Sequence, residues 1–397
     1  MQTKPPSGNA RARPGVPGRW GYVVSNPFLV SALWLLDHLP WPPAPPPPPA
    51  APPRRVLLAM IGNFGDAVIA SAALQRIADA APEIELGLLV SPAGAAVFRG
   101  DPRIRRLHVL EHYWLSRAPV GRLEKLRRHL ATRRAVIGDL RAADYDLAID
   151  LYHPFPPVAP VLRAAGIPRR IGYGASGCRR FLTQAVAFRP ADRHVAAYQA
   201  ALLEAAGLIG APAAATPPRP ALPALSPPGP LALPRRYAVL HMGAGAPSRE
   251  WPEANWQQLA AVLAARGLAL VFTGRGPREA ARCARMAAAT PGAIDLADRL
   301  DPAALRGVLA GAALLVCLDS FAAHLAALDA VPSVVLTTGV ANPAHWRPLN
   351  ARAAVLHTAP PCLPCYNWRG CAGMACIRDV SPDAVLAAAD RLLPASG

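Results

Sequence analysis

Asp66, Arg249, Glu279 and Asp319 each follow closely on an apolar run that reads as a buried parallel strand. The carboxyl ends of such strands are where open α/β sheets hold their ligands. Asp66 closes the stretch Ile61-Gly62-Asn63-Phe64-Gly65-Asp66. That stretch lies between the run 55–60 and a helical pattern with Val68, Ala72, Leu74 and Ile77 on one face. A carboxylate at such a turn can cap the helix by accepting its first backbone N–H groups. Facing a cleft, it can instead take a proton from a substrate hydroxyl. Taken alone, Gly-Asp favours the cap, and the reason to weigh the base lies some 250 residues further on.

There, three loops suit an anion. Gly243-Ala244-Gly245 frees backbone N–H groups after a strand over 237–242, and Arg249 can offer a phosphate its guanidinium fork. Asp319-Ser320-Phe321-Ala322-Ala323-His324 follows a strand over 313–318 and opens a helix, whose N-terminus favours negative charge. Each loop alone is unspecific, since Asp-Ser is an ordinary helix cap and His324 an ordinary helix histidine. The first half lacks G-x-G-x-x-G with a following acidic ribose ligand, which argues against a dinucleotide dehydrogenase. A nucleotide held through its phosphates by the second half, with Asp66 facing it, fits better.

The elements that position these residues follow a βαβ rhythm. In the first half, strands are expected over 56–60, 85–90, 105–110, 147–150 and 170–172. In the second they are expected over 237–242, 268–272, 294–296, 313–318 and 334–337. A helix over 121–140 carries Arg122, Lys125, Arg127, Arg128, Arg133 and Arg134, a run that reads equally as a solvated face or as a binding surface. Pro252 is placed at the first position of a helix closed by Gly267. The expected divisions are an N-terminal extension over 1–53, a first domain over 54–210, a proline-rich linker over 211–236 and a second domain over 237–397. The extension reads as a disordered basic tract over 1–19, a short apolar helix over 28–36 and a stiff polyproline spacer over 42–53. Docking on the protein body, lying in a membrane interface and acting as a signal-peptide core are all open to that helix.

Composition sets bounds. A chain of 397 residues with 52% hydrophobic content can bury two α/β cores. No apolar run approaches the ~20 residues of a membrane-spanning helix. The net charge of +17, almost all arginine, points to an acidic partner, although a GC-rich genome would leave part of the same bias. Nucleic acid is the weaker choice, because no recognition motif or interleaved aromatic set accompanies the arginines. Seven cysteines without a clear signal peptide suggest a reducing compartment. Cys362, Cys365, Cys371 and Cys376 cluster, but the second pair lacks the C-x-x-C of a zinc ribbon, so no metal is assigned. Cys178, Cys283 and Cys317 read as packing residues.

At these same positions the sequence resembles glycosyltransferase family 9, the heptosyltransferases of lipopolysaccharide core assembly, over about residues 54–385. The resemblance rests on Val56-Leu57-Leu58 with Gly65-Asp66, on 145–151, and on Arg170-Ile171-Gly172-Tyr173. It continues through 240–245, Arg249-Glu250-Trp251-Pro252, Asp319-Ser320 with His324, and 343–348, seven segments in the family's order. It implies the α/β GT-B fold, two Rossmann-like doubly wound domains facing a central cleft. It implies an inverting transfer of a sugar, heptose in the best-known members, from an ADP-activated donor to an anionic glycolipid or saccharide. It implies no metal or other cofactor, and a cytoplasmic protein peripheral on the inner face of the cytoplasmic membrane.

By resemblance, Asp66 is the general base. Gly243, Arg249, Asp319, Ser320 and His324 hold the donor diphosphate and sugar, Glu279 the ribose, and Leu300 with Arg299 the adenine. Two residues depart from the pattern. Phe321 stands where members carry glycine, and Ala73 replaces a common proline. Phe321 is the main support for an alternative, a catalytically weak sugar-nucleotide-binding or scaffold protein of the same fold.

Overall fold

The computed structural model describes residues 27–39, 52–152, 156–189, 193–210, 219–223, 231–340, 342–363, 365, 367 and 370–393. The expected disordered tract over 1–19, most of the proline spacer and much of the linker lie outside them.

Among the described residues the strands form two six-stranded parallel sheets. The first joins β1 (Arg55–Met60), β2 (Glu85–Val90), β3 (Ile104–Val109), β4 (Leu147–Asp150), β5 (Arg169–Tyr173) and β6 (Gln184–Val186) in the order β3-β2-β1-β4-β5-β6. The second joins β7 (Tyr237–His241), β8 (Ala269–Thr273), β9 (Ile294–Asp295), β10 (Leu314–Leu318), β11 (Ser333–Leu336) and β12 (Ala353–Leu356) in the order β12-β11-β10-β7-β8-β9. Read from each first strand, the two orders are the same doubly wound pattern. Both reverse at one place, between β1 and β4 and between β7 and β10. Those switch points open a crevice at the carboxyl ends of the strands.

The central strands are continuous apolar runs because helices cover both faces of each sheet. β6 and β12 were not expected from sequence. Both are short edge strands that are only partly buried, so their apolar signal is weak. One core cluster runs from β1 and β4 across to Val239, Leu315, Ala322 and Leu325, so the two halves share packing. Trp251 and Trp256 meet edge to face at 5.0 Å in a second cluster, and Trp251 Nε1 donates to Val380 O at 2.8 Å.

Three expectations change. The helix after β1 spans Phe64–Ala80, which places Asp66 inside its first turn rather than before it. Pro252 is the N-cap of the helix Glu253–Ala265, whereas Gly267 at φ +76° does follow its end. The proline-rich linker, whose composition offers few apolar residues to bury, nonetheless buries Leu222, and Arg103 from the first half and Arg306 from the second both donate to carbonyls in 221–223.

The apolar helix Pro27–His38 docks on the first domain. Val30 and Leu33 pack against Cys178, and Arg180 donates from its backbone to Asp37 and from its guanidinium to Leu36 O. The three singleton cysteines are all buried, Cys283 and Cys317 in the second half.

Candidate active site

The loops at the two switch points line one cleft of about 1260 Å³. The first half contributes Gly62–Asp66, residues 115–119 and Tyr152. The second contributes Gly243–Gly245, Arg249, Glu279, Leu300 and Asp319–Phe321 with His324. With one exception, the residues expected to bind donor or act as base therefore face the same space. Arg299 does not: it is exposed, and its guanidinium turns back to Asp295 O.

Asp66 is held by its own turn. Its Oδ2 accepts the backbone N–H of Asn63 at 2.7 Å, so the carboxylate caps the helix and lines the cleft at once. Gly62 is what makes room for this: a Cβ there would lie 2.5 Å from Asp66 Cβ and 2.6 Å from Oδ2. Burial raises the Asp66 pKa above the usual carboxylate value, opposed by the Asn63 N–H and by the charge of Arg117. A carboxylate tuned upward is a stronger base once ionised.

Across the cleft, β10 delivers Asp319 and Ser320 to the start of the helix Phe321–Leu328. Ser320 is the N-cap in extended conformation, yet its hydroxyl makes no cap bond, and its buried Oγ has no hydrogen-bond partner among the described residues. The first amides of that helix, with Ser320, are a site for an anion. Asp319 opens onto the cleft, and the protein around it raises its pKa while the charge of Arg249 opposes the rise. Arg249, in the turn Pro247–Arg249, is in turn held below its ordinary value by burial, with Asp319 opposing.

Glu279 fills the space left by two glycines. A Cβ on Gly243 would lie 2.1 Å from its Oε2, and one on Gly274 would lie 2.9 Å from its Cβ. Gly243 thus seats Glu279, a more definite reason for glycine than free amides. Glu279 Oε2 also accepts the Arg275 N–H at 2.8 Å, and burial raises its pKa. Nearby, Glu250 pairs with Arg278 and Arg282, which fixes the helix Pro277–Ala288 to the turn bearing Arg249.

The two halves meet beside the site. A Cβ on Gly65 would come 3.1 Å from the His324 ring, so glycine lets the first turn approach the second helix. Phe321 packs on Phe64 with ring centres 5.0 Å apart and leans on the shared core. Phe321, one of the two departures from the family pattern, therefore has a packing role between the two turns. Burial lowers the His324 pKa to about 4, with a smaller contribution from His194. His194 Nδ1 accepts the Ala196 N–H at 3.1 Å, which assigns the proton to Nε2 and makes it the donor to Arg347 O at 3.0 Å across the halves.

Sequence reasoning missed Arg117. It sits in the loop after β3, lies 3.6 Å from where a Gly245 Cβ would be, and acts electrostatically on Asp66, Tyr152 and Arg249. Its place after a strand end was the available signal. The arginine run that follows hid it. Among the described residues no group of three or more His, Cys, Asp or Glu is arranged to hold a metal ion. Cys376 is buried, and Cys362, Cys365 and Cys371 are exposed.

The profile of glycosyltransferase family 9 (heptosyltransferase) matches residues 133–371, well over half of the chain. Lipopolysaccharide heptosyltransferase 1 of Pseudomonas aeruginosa is 34% identical over 131 residues, 33% of this chain and 36% of that protein. The Salmonella typhimurium protein of the same name is 32% identical over 100 residues, 25% of this chain and 31% of that protein. The chain thus spans about a third of the length of these curated relatives. Among solved structures, a family 9 glycosyltransferase from Veillonella parvula superposes with a TM-score of 0.68 at 19% identity, covering 85% of this chain and 97% of that one. An E. coli heptosyltransferase, WaaC, solved with ADP gives 0.65 at 19%, covering 85% and 99%. At that identity the likeness establishes the fold, two Rossmann-like domains about a cleft in the GT-B arrangement.

Proposed function

The chain belongs to glycosyltransferase family 9, and on that premise we propose that it transfers a sugar, heptose by analogy with its relatives, from an ADP-activated donor to an anionic glycan acceptor of lipopolysaccharide-core type. The observation that carries this reading is the placement of Asp66 opposite the Asp319–His324 turn across one cleft. The acceptor hydroxyl attacks the anomeric carbon from the face opposite the leaving diphosphate, and Asp66 takes its proton. ADP then departs toward the second domain. Arg249, the Ser320 hydroxyl and the amides opening the helix Phe321–Leu328 receive its growing charge, the preorganised stabilisation that lowers such barriers most. Glu279 accepts from the ribose, Leu300 lies against the base, and Asp319 contacts the sugar.

In this reading Phe321 supports the junction of the halves. It does not mark a scaffold protein that has lost activity. The activity test supplies purified protein with ADP-heptose and a delipidated core saccharide, and follows ADP release and product linkage. The reading expects release of ADP with inversion at the anomeric carbon. No ADP release above background, or a product that retains the donor configuration, would overturn it.

A further inference from the structure

The first sheet delivers aromatic residues along one side of its switch point, and the donor site uses none of them. Tyr152 lies two residues past β4, Tyr173 closes β5, and Phe188 lies two residues past β6. These strands run outward from β1 in that order, so the three residues form a row at the carboxyl ends that begins next to the Asp66 turn. Tyr198, from the helix Val195–Ala205, completes the row. Its ring centre lies 4.9 Å from that of Phe188 at 31°, and 6.2 Å from that of Tyr173.

The row is held from behind. Tyr173 Oη donates to Tyr198 O at 2.7 Å, and its ring meets Phe188 edge to face at 5.3 Å. Asp150 accepts the Tyr152 N–H at 3.2 Å and the Val158 N–H at 3.1 Å, which ties down both ends of the loop that carries Tyr152. Tyr173 is buried, whereas Tyr152, Phe188 and Tyr198 line the cleft.

Tyr152 is only 8% exposed, yet its hydroxyl makes no hydrogen bond among the described residues. A buried phenol of this kind is costly unless a ligand completes it. Burial, and after it the charge of Asp66, raises the Tyr152 pKa, so the hydroxyl stays protonated and can donate.

The second half sets the row at the sugar end of the cleft. His345 and Trp346, in the helix Pro343–Trp346 after β11, both line the cleft, and His345 stands edge-on to Tyr198 at 6.5 Å. Trp346 also borders a small cavity with Arg249 and Asp319. Glu279 and Leu300 follow β8 and β9, on the other side of β7. The aromatic row thus lies away from the residues read as holding ribose and adenine. A pyranose ring has C–H groups on its faces and hydroxyls at its rim. Aromatic surface suits the faces, and a few placed hydroxyls suit the rim.

We propose that Phe188 and Tyr152 form an acceptor-saccharide subsite, in which a pyranose ring of the acceptor packs on the Phe188 ring and bonds the Tyr152 hydroxyl through a rim oxygen. That seating brings the attacking hydroxyl beside Asp66. The subsite rests on the transferase reading for the identity of its ligand.

The test compares wild type with Phe188→Leu, Phe188→Tyr and Tyr152→Phe. Leucine keeps apolar bulk without the flat face, tyrosine restores that face, and phenylalanine at 152 removes only a hydroxyl. Steady-state assays vary a delipidated core saccharide at saturating ADP-heptose, and calorimetry follows binding of ADP and of the saccharide separately. Phe188→Leu and Tyr152→Phe should each raise the saccharide KM and Kd roughly tenfold, the scale of one lost ring contact or hydrogen bond, with ADP affinity and melting temperature unchanged. Phe188→Tyr should return both constants close to wild type. Unchanged saccharide constants in Phe188→Leu or in Tyr152→Phe would overturn the proposal. So would a parallel loss of ADP affinity, which marks general damage to the cleft, or a wild type that binds no saccharide. Failure of the transferase reading would show separately, as saccharide binding that tracks the ring and the hydroxyl while no protein releases ADP.

Discussion

Two strand-to-helix turns face each other across the cleft, and they resolve the same local problem differently. After β1, the helix start is closed by side chains: Asp66 takes up the Asn63 N–H, and Gly62 leaves space for its carboxylate. After β10, the start is left open: Ser320 is the N-cap, yet its hydroxyl bonds to nothing among the described residues. A closed turn fixes a carboxylate in one orientation, as a base requires. An open one leaves amides and a hydroxyl for a ligand that brings its own negative charge. Under the proposed function the same supersecondary unit would serve as base on one side and as leaving-group site on the other, with Gly65 and Phe321 at the contact between them.

The sharpest way to break this comparison is to remove the base without disturbing the turn. Asp66→Asn keeps an oxygen for the Asn63 N–H, so folding should be nearly intact while turnover falls by roughly 10²-fold or more. Near-normal turnover in a steady-state assay would leave the first turn as a helix cap only. Phe321→Ala attacks the gap. Its ring is half-buried against Phe64, so denaturant unfolding should show a loss of about 1.5–3 kcal/mol, below the 3–5 typical of a fully buried ring. A stability unchanged from wild type would remove Phe321 from the junction.

Acid should also loosen the contact between halves. Burial holds His194 and His324 near pKa 4 in the fold, against about 6.5 in an unfolded chain. A histidine whose pKa is depressed by folding contributes stability in full above the unfolded value. That stability is lost as the pH falls from about 6.5 through 4. Melting temperature should decline across that window, and less so in His194→Gln, which keeps a donor for Arg347 O. A flat profile there would contradict the burial of these rings. The smallest effect is expected from Arg117→Gln. Removing the cation that lowers the Asp66 pKa should move the acid limb of the kcat/KM profile upward. An unmoved or lowered limb would take Arg117 out of the field acting on Asp66.

Much of this was legible in the sequence because the central strands β1, β4, β7 and β10 are largely apolar runs, with a glycine close to one end of β1, β7 and β10. β6 and β12 were not legible, since edge strands bury little and their residues carry no strong period. Asp66, Arg249, Glu279 and Asp319 stood out as charged residues just after strands. Arg117 did not, because the arginines that follow it gave the same local signal for a different reason. The value of Gly243 was visible but not its cause, which needs Glu279 brought in from the next βα unit. The packing role of Phe321 was not legible, because its partner Phe64 lies 257 positions earlier in the chain.

The central claim is a division of labour, base in the first turn and diphosphate in the second, and titration calorimetry with ADP tests it directly. Wild type and Asp66→Asn should bind ADP with the same affinity. Arg249→Ala should bind more weakly by roughly 1.5–3 kcal/mol, the size of a charge-assisted hydrogen bond. If Asp66→Asn lost ADP affinity as Arg249→Ala does, or if Arg249→Ala bound like wild type, the two turns would not divide the work in this way.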